Sequence, residues 1–369
     1  MKAKKSRRGW GFALLCAALS YQAAAPRMSA QRLAAGEGNK ATVGTLLDAP
    51  AATALTRSPS RAEDVREQTL VAARPVFTES VEGGARLRTD EAGNIYLLNT
   101  RDSSVLVYDQ HFNFLRRVGS IGQGPADLRF PSDFAVTRGG ELVVADTLNN
   151  RVQILSQAGE PLGSFDVERP VSVDVLSSGE ILVVANDKNL IDVFDARGRA
   201  LRTIGELAPT TAEANSPPLH LFLNRGRLLV DRQDNVYWVG KNLPFPTVRK
   251  YSPQGVLLQE FHPASPRLEE VASRAVAGVQ MRSEARILGA SGVLNAISTD
   301  PRSGDVWLFP SAPQVLIYDG RGNKKQEFGM KAGIYPAGAS DALILDQTRF
   351  IITNTALGSF LFERQESHN

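Results

Sequence analysis

Short apolar runs separated by turn residues recur along most of this chain. The clearest stretch, residues 122–165, contains four such runs, at 133–136, 142–145, 152–155 and 161–165. Glycine, asparagine and aspartate lie between the runs, as in Gly139-Gly140. Runs of this length, rich in β-branched residues and bounded by turn residues, are typical of β-strands. The pattern predicts a unit of four antiparallel strands in about 40 residues, which is typical of a propeller blade.

Two features of this unit recur elsewhere in the chain. A turn followed by an apolar second strand occurs at 93–96, 140–143, 179–182, 234–237 and 304–307. An apolar third strand that leads into a turn occurs at 107–109, 193–195, 250–252 and 317–319. Five full units emerge, and a weaker sixth covers 339–362. One blade cannot bury both of its faces, so neighbouring blades must cover them. We therefore predict an all-β fold, a six-bladed β-propeller of four-stranded antiparallel blades over residues 74–365.

Closure of the ring is predicted from two incomplete pieces. The sixth unit lacks an obvious fourth strand, and an isolated strand at 75–79 precedes the first full unit. An open ring would leave two sheet edges unpaired. We expect the N-terminal strand to close the last blade.

The longest interruption of the repeat is at 263–288. Leu268, Ala272 and Ala275 recur there at helical spacing, which predicts a helical insertion between the fourth and fifth blades. The helix would either pack on the rim of the ring or cover one mouth of its channel.

The N-terminus has the pattern of a secretory signal peptide over residues 1–25. A basic start precedes the apolar run 10–19, and small residues follow at 23–25. The apolar run is shorter than the roughly 20 residues of a membrane-spanning helix. We therefore expect a periplasmic or secreted protein, in preference to an N-terminal anchor or a lipoprotein at Cys16. Residues 26–73 are interpreted as a disordered linker, with one short helix around 61–71.

Charge and cysteine content narrow the function. The chain has 42 Lys and Arg against 39 Asp and Glu, a net charge of +3. Without the five basic residues of the signal peptide, 37 basic residues face 39 acidic ones, a net charge of −2. The basic character therefore does not indicate a nucleic-acid partner. Cys16 is the only cysteine, so the mature chain would have neither a disulfide nor thiolate chemistry. We expect a monomer without a membrane span.

The second unit resembles an NHL repeat. The resemblance rests on Gly122-Gln123-Gly124, Phe130-Pro131, and the segments 143–146 and 149–154. It implies a six-bladed propeller. It implies little about function, because this fold hosts lyases, lactonases, receptors, sensors and RNA-binding modules.

The sequence offers two groups of candidate functional residues, a polar motif in the second unit and three histidines. Asp146, Asn149, Asn150 and Arg151 form a polar motif that we interpret as structural, because Asp and Asn side chains bond their own turn backbone. Metal chemistry has little support, because His111, His220 and His262 lie in turns or inter-blade stretches. We predict no metal site and no cofactor. No catalytic residue is identified, which favours a non-catalytic protein but leaves catalysis open.

Strand direction predicts which side chains share a face. The loops from second to third strands and the inter-blade connections emerge on one face, called the loop face here. The tight turns emerge on the opposite, turn face. Candidate ligand-binding residues on the loop face are Asn99, Arg101, Arg129, Asp146, Asn186, Lys241 and Asn354. Arg129 and Lys241 suggest an anionic ligand.

Two functional hypotheses follow. The first is an exported NHL-like propeller that binds a small ligand or a protein on the loop face near the axis. The alternative is a metal-assisted lyase or hydrolase, similar to amidating lyases or lactonases, at the axial mouth.

Overall fold

Each unit predicted from the sequence folds into one four-stranded antiparallel sheet. The computed structural model describes residues 72–77, 85–185, 189–209, 217–241, 246–284, 293–330, 339–354 and 358–363; for 72, 73, 217–219, 276–284 and 354 it describes the backbone only. The signal peptide and the linker up to residue 71, with its expected helix around 61–71, lie outside these ranges.

Blades are numbered in chain order. Blade one consists of β2 Ala85–Thr89, β3 Ile95–Asn99, β4 Ser104–Tyr108 and β5 Phe114–Val118. A short parallel pair, β6 Ser120–Ile121 with β7 Asp127–Leu128, connects it to blade two. Blade two consists of β8 Asp133–Val136, β9 Leu142–Asp146, β10 Arg151–Leu155 and β11 Pro161–Asp166. Blade three consists of β12 Ser172–Val175, β13 Ile181–Val184, β14 Ile191–Phe194 and β15 Ala200–Ile204.

The second half of the ring follows the same order. The helix α1 Pro217–Leu223 leads into blade four, which consists of β16 Gly226–Val230, β17 Val236–Gly240, β18 Thr247–Tyr251 and β19 Leu257–Phe261. The helix α2 Pro266–Glu284 leads into blade five, which consists of β20 Leu294–Thr299, β21 Val306–Pro310, β22 Gln314–Tyr318 and β23 Lys324–Gly329. Blade six consists of β24 Ala339–Ile344, β25 Arg349–Asn354, β26 Gly358–Glu363 and the N-terminal strand β1 Ala72–Val76.

The predicted closure of the ring by the N-terminal strand is confirmed. β1 pairs antiparallel with β26, with Val76 opposite Ser359. The strand lies three residues earlier than the predicted 75–79. Phe77 has a φ of 65°, which no extended strand accommodates, so the strand ends at Val76. Burial of Val76, which is 4% exposed, then anchors the strand to the ring.

The hydrophobic core lies between adjacent blades. Val143 and Val152 of blade two pack with Val173 and Ile181 of blade three in one buried cluster. Each strand therefore presents apolar side chains on both of its faces, as expected for sheets covered on both sides by their neighbours. In every blade the first strand is the innermost, so the six first strands surround the axis.

Tight turns also join neighbouring blades. Gly198, in the turn between β14 and β15, has a φ of 78°, and a Cβ there would overlap Phe165 of the preceding blade. Gly322 of blade five has the same relation to Phe261 of blade four, with 2.8 Å between the added Cβ and the nearest ring atom. These positions need glycine for backbone conformation and for close approach.

The helix α2 occupies the interruption between blades four and five. Its buried residues Leu268, Ala272 and Ala275 share a cluster with Val248 and Leu294 from these two blades. The Leu268 amide donates to the Ser265 hydroxyl at 3.1 Å, which caps the first turn. Among the residues that the structure describes, neither helix is both long and apolar enough to cross a membrane.

Candidate functional site

The innermost strands present their free backbone edge to the channel, and side chains of one blade bond the edge of the next. The Val230 amide donates to Asp174 Oδ2 at 2.9 Å, from blade four to blade three. The Leu87 amide donates to Asp341 Oδ2 at 2.8 Å, from blade one to blade six. Buried backbone amides need such hydrogen-bond acceptors, so Asp174 and Asp341 help to hold neighbouring blades together.

Arginines complete a charged network around the axis. Arg88 of blade one donates to Asp133 Oδ1 of blade two at 3.0 Å, and its Nη1 lies 3.9 Å from Asp341 Oδ2. Arg227 of blade four binds Asp341 of blade six with both terminal nitrogens, Nη2 at 2.8 Å from Oδ2. Arg86 Nε lies 3.9 Å from Asp133. We call Arg86, Arg88, Asp133, Asp174, Arg227 and Asp341 the axial network.

Burial and ion pairing shift the pKa values of Asp341 and Asp174 in opposite directions. Burial alone would raise the pKa of Asp341, but Arg227, Arg86 and Arg88 outweigh it and hold that pKa below its usual value. At Asp174, burial outweighs the charge of Arg88 and the hydrogen bonds from the Val175 and Val230 amides, and raises the pKa to about 6. Asp174 therefore binds a proton more readily than Asp341 does.

A cavity of about 630 Å³ opens from the axial network towards the turn face. Arg88, Asp174 and Arg227 lie at its inner end, and the ends of the first strands form its walls. Apolar wall residues include Leu87, Val136, Val175, Leu229, Ile297, Leu343 and Ile344.

The rim of this cavity carries more acidic than basic side chains. The acidic residues are Asp90, Glu91, Asp231, Asp234 and Asp300, and the basic residues are Arg138 and Arg232. Several of these carboxylates also hold the turns: Asp231 Oδ1 accepts the Asn235 amide at 2.8 Å, and Asp90 Oδ1 accepts the Asn94 amide at 2.8 Å. The turn-face mouth is therefore negatively charged.

Lys241 lies at the opposite end of the axis. It follows β17 directly, on the loop face, and is only partly exposed. Limited solvent access, with Arg86 and Arg227 nearby, lowers its pKa to about 7. Of the candidate ligand-binding residues whose side chains the structure describes, Lys241 is thus the one that lies beside the axial network.

The polar motif of blade two holds the connection from blade one. Arg151 Nε donates to Asp146 Oδ2 at 2.8 Å, and its Nη2 donates to the carbonyls of Gly124 and Asp127 at 2.9 and 2.8 Å. Asn149 Nδ2 donates to Asp146 at 2.8 Å. Asn150 takes a left-handed conformation with a φ of 53°, as a turn residue can. These contacts agree with the structural interpretation of the motif.

The other candidate residues do not meet in one site. Asn99 is buried and donates to Asp102 at 3.0 Å. Arg101 is exposed and lines a separate depression of about 370 Å³ together with Arg117. Arg129 is exposed, and its amide donates to Asp146 Oδ1 at 2.6 Å. Asn186 and the side chain of Asn354 lie outside the described residues. The ligand site predicted on the loop face therefore stays a prediction.

Sequence reasoning missed the axial network, although a positional signal exists. Arg86, Asp133, Ser172 and Arg227 each stand seven residues before a turn residue with positive φ; these turn residues are Gly93, Gly140, Gly179 and Asp234. Polar residues that recur at one position of a repeat must meet at one level of the ring. Aligning the units on their turn residues would have found the network.

Histidines and acidic residues form no metal cage in the described part of the chain. No group of three His, Cys, Asp or Glu side chains there could hold a metal ion. His111 lies in the turn between β4 and β5, His262 directly follows β19, and His220 is buried in α1.

Comparisons with known proteins agree with the architecture. The NHL repeat family matches residues 128–155. NHL repeat-containing protein 3 from Homo sapiens is 28% identical over 187 residues, 48% of this chain and 52% of that protein. Protein brain tumor from Drosophila melanogaster is 26% identical over 117 residues, 30% of this chain and 11% of that protein. The matched part thus spans about half or less of these relatives.

Solved structures share the fold. A catalytically inactive virginiamycin B lyase from Staphylococcus aureus, solved with quinupristin, has a TM-score of 0.51 at 9% identity and covers 78% of this chain and 83% of the lyase. The WD40 repeats of RRP9 have a TM-score of 0.52 at 8% identity, over 82% of this chain and 100% of theirs. Identities this low show the fold alone. Together with the repeat match and the six sheets, they show that the chain is a six-bladed β-propeller that contains an NHL repeat at residues 128–155.

Proposed function

We propose that this chain is an exported binding propeller that takes a small ligand into the axial cavity on its turn face. The cavity of about 630 Å³ carries this proposal. It lies within the range of about 300–1,000 Å³ that is common for ligand pockets. It also lies where all six blades converge, so a ligand there would contact the whole ring.

The lining indicates the kind of ligand. Leu229 and Ile297 offer apolar walls, while Arg88, Asp174 and Ser298 provide a few polar groups at the inner end. An apolar wall with few convergent polar groups suits a ligand that has an apolar body and one polar end. The acidic rim favours a neutral or cationic ligand over an anionic one.

Binding is a better fit than catalysis for these groups. Asp341 accepts Arg227 and the Leu87 amide, and Asp174 accepts the amides of Val175 and Val230. A general acid or base must be able to reach a substrate proton. Carboxylates that already hold the ring together would have to give up these bonds to do so.

A neutral environment-sensitive dye, Nile red, tests the site. We expect saturable binding with about one dye per chain, and at least tenfold weaker binding when Val175→Trp fills the cavity wall. Leu162→Trp is the matched control, because Leu162 lies on an outer strand and is 55% exposed. Equal dye affinity in Val175→Trp and Leu162→Trp would place the dye elsewhere and contradict the proposal.

Export is tested separately with the complete precursor in a Gram-negative host. We expect a periplasmic product whose mass shows loss of about the first 25 residues. A variant that lacks residues 1–25 is the control and should stay in the cytoplasm. An uncleaved precursor found only in the cytoplasm would contradict export.

A further inference from the structure

The loop-face end of the axis has an excess of hydrogen-bond donors. Among the described residues, the Lys241 ammonium has neither a hydrogen-bond nor an ion-pair partner. The Nε atoms of Arg86 and Arg227 are buried and have no acceptor within the described part of the chain. Arg227 as a whole is 3% exposed. Buried donors without acceptors are uncommon in folded proteins because each one loses its bond to water.

The nearby carboxylates cannot supply the missing acceptors. Asp341 accepts two nitrogens of Arg227 and the Leu87 amide. Asp133 accepts Arg88 Nη2, the Phe134 amide and the Ser172 hydroxyl. Their lone pairs are therefore largely committed to bonds that hold the blades together.

The charges around Lys241 also indicate that a negatively charged acceptor is missing at this end of the axis. After burial, which has the largest effect on the pKa of Lys241, Arg86 and Arg227 act more strongly than the carboxylates of Asp341 and Asp133. Among the described residues, the axial network and Lys241 together contain four basic side chains and three carboxylates. One additional negative charge would balance the group and would also supply the missing acceptors.

We propose that a small anion, a carboxylate or a sulfate- or phosphate-like oxyanion, binds on the loop face between Lys241, Arg86 and Arg227. This site lies on the other side of the axial network from the cavity of the proposed function, and it does not depend on that function. The propeller would then hold a neutral or cationic ligand at one mouth and an anion at the other.

Proton uptake is a consequence that distinguishes this site from an ordinary surface lysine. The surroundings of Lys241 bring its pKa down to about 7. An anion stabilises the charged form and raises the pKa again. Binding at or above neutral pH therefore takes up a proton, and the affinity for the anion should fall as the pH rises above about 7.

Calorimetric titration with sodium sulfate, and separately with sodium acetate, tests the proposal on the folded mature chain. Sulfate does not titrate near neutral pH, so its proton uptake reports on the protein. Lys241→Met keeps the aliphatic stem and removes the charge, and we expect about 10- to 100-fold weaker binding of whichever anion the parent binds. Lys324→Met is the matched control, because it removes one positive charge from the outer strand of blade five, where Lys324 is 41% exposed.

Lys241→Arg provides a second, independent readout. Arginine stays charged over the whole range, so this variant should bind the anion but lose the pH dependence between about pH 6 and about pH 9. If Lys241→Met does not fold, this comparison decides the question.

Three results would overturn the proposal. They are no binding of sulfate or acetate to the parent, equal affinity in Lys241→Met and Lys324→Met, and the same pH dependence in Lys241→Arg and the parent. Nile red binding measured on the same variants shows whether the turn-face cavity is affected. Loss of anion binding alone would concern only the Lys241 site.

Discussion

Arg227 on blade four and Asp341 on blade six bind each other across the axis, so their ion pair passes over blade five. Arg227 is 3% exposed, and Asp341 is fully buried. A buried ion that loses its partner is strongly unfavourable, because neither water nor a counter-charge replaces the lost bonds.

Asp341→Asn or Arg227→Met alone should therefore lower the free energy of unfolding by about 3–5 kcal/mol. The double variant Arg227→Met with Asp341→Asn should recover a large part of that loss, because no unpaired charge remains. Urea denaturation of the parent, both single variants and the double variant completes the cycle. Additive losses in the double variant would show that the two residues do not act as a pair.

Asp174 predicts a pH dependence of stability. Burial raises its pKa in the folded state from 3.8 to about 6. The folded chain then holds this proton more tightly than the unfolded chain does. The stabilisation is fully present below about pH 4 and is lost as the pH rises through about 6.

Asp174→Asn removes this titration while keeping the shape of the side chain. Relative to the parent, the variant should gain stability between about pH 4 and about pH 7.5. Chemical denaturation at the two pH values measures the change. Asp109→Asn is a control on the turn face, because hydrogen bonds from Asn113 hold the pKa of Asp109 below its usual value, so its pH profile should change in the opposite sense.

The polar motif of blade two is expected to support the stability of the fold and not to bind a ligand. Asp146 is fully buried and accepts Arg151, Asn149 and the Arg129 amide. Asp146→Ala should destabilise the fold by about 1–3 kcal/mol, the cost of leaving buried donors unsatisfied. Thermal unfolding measures the loss. Unchanged stability with weaker sulfate or Nile red binding would instead assign Asp146 to a ligand site.

Removal of the closing strand should open the ring. A chain that begins at Gly84 lacks β1 and leaves the edge of β26 unpaired. We expect a melting temperature lower by many degrees, or aggregation, because an exposed strand edge pairs with other chains. A chain that begins at residue 60 keeps β1 and is the control. Identical melting of the two chains would show that β1 does not stabilise blade six.

Gly198 and Gly179 distinguish two reasons why a position requires glycine: a positive φ angle, and close approach of a neighbouring blade. Their φ angles are 78° and 84°, but an added Cβ meets Phe165 at Gly198 and nothing within 4 Å at Gly179. Gly179→Ala should cost about 1 kcal/mol for backbone strain alone. Gly198→Ala should cost about 1–3 kcal/mol more, because the methyl group also forces the neighbouring blade away. Equal losses in denaturation would mean that the blades can separate freely.

Local patterns were sufficient to predict the blades. The sequence predicts the strands of the second blade at 133–136, 142–145, 152–155 and 161–165, and the structure has them at Asp133–Val136, Leu142–Asp146, Arg151–Leu155 and Pro161–Asp166. Such agreement is expected where turn residues bound each strand and neighbours bury both of its faces.

The axial network could not be predicted in the same way. Arg227 and Asp341 are 114 residues apart, and nothing local to either residue indicates the other. Strand direction places Lys241 and Arg129 on the same face, but it does not give their distance from the axis. Lys241 is only partly exposed, and the charges of Arg86 and Arg227 help to lower its pKa, whereas Arg129 is exposed; loop conformation decides this difference.

Blade five contributes no charged side chain to the axial network. The six blades should therefore differ in their resistance to local unfolding. Among the described residues, its inner strand joins the axis through Ser298, whose hydroxyl accepts the Ile344 amide at 3.3 Å. Segments held mainly by apolar contacts can open without breaking ion pairs. In hydrogen–deuterium exchange, the amides of β20 and β21 should therefore lose protection before those of β2 and β8, and the ring should begin to unfold at blade five.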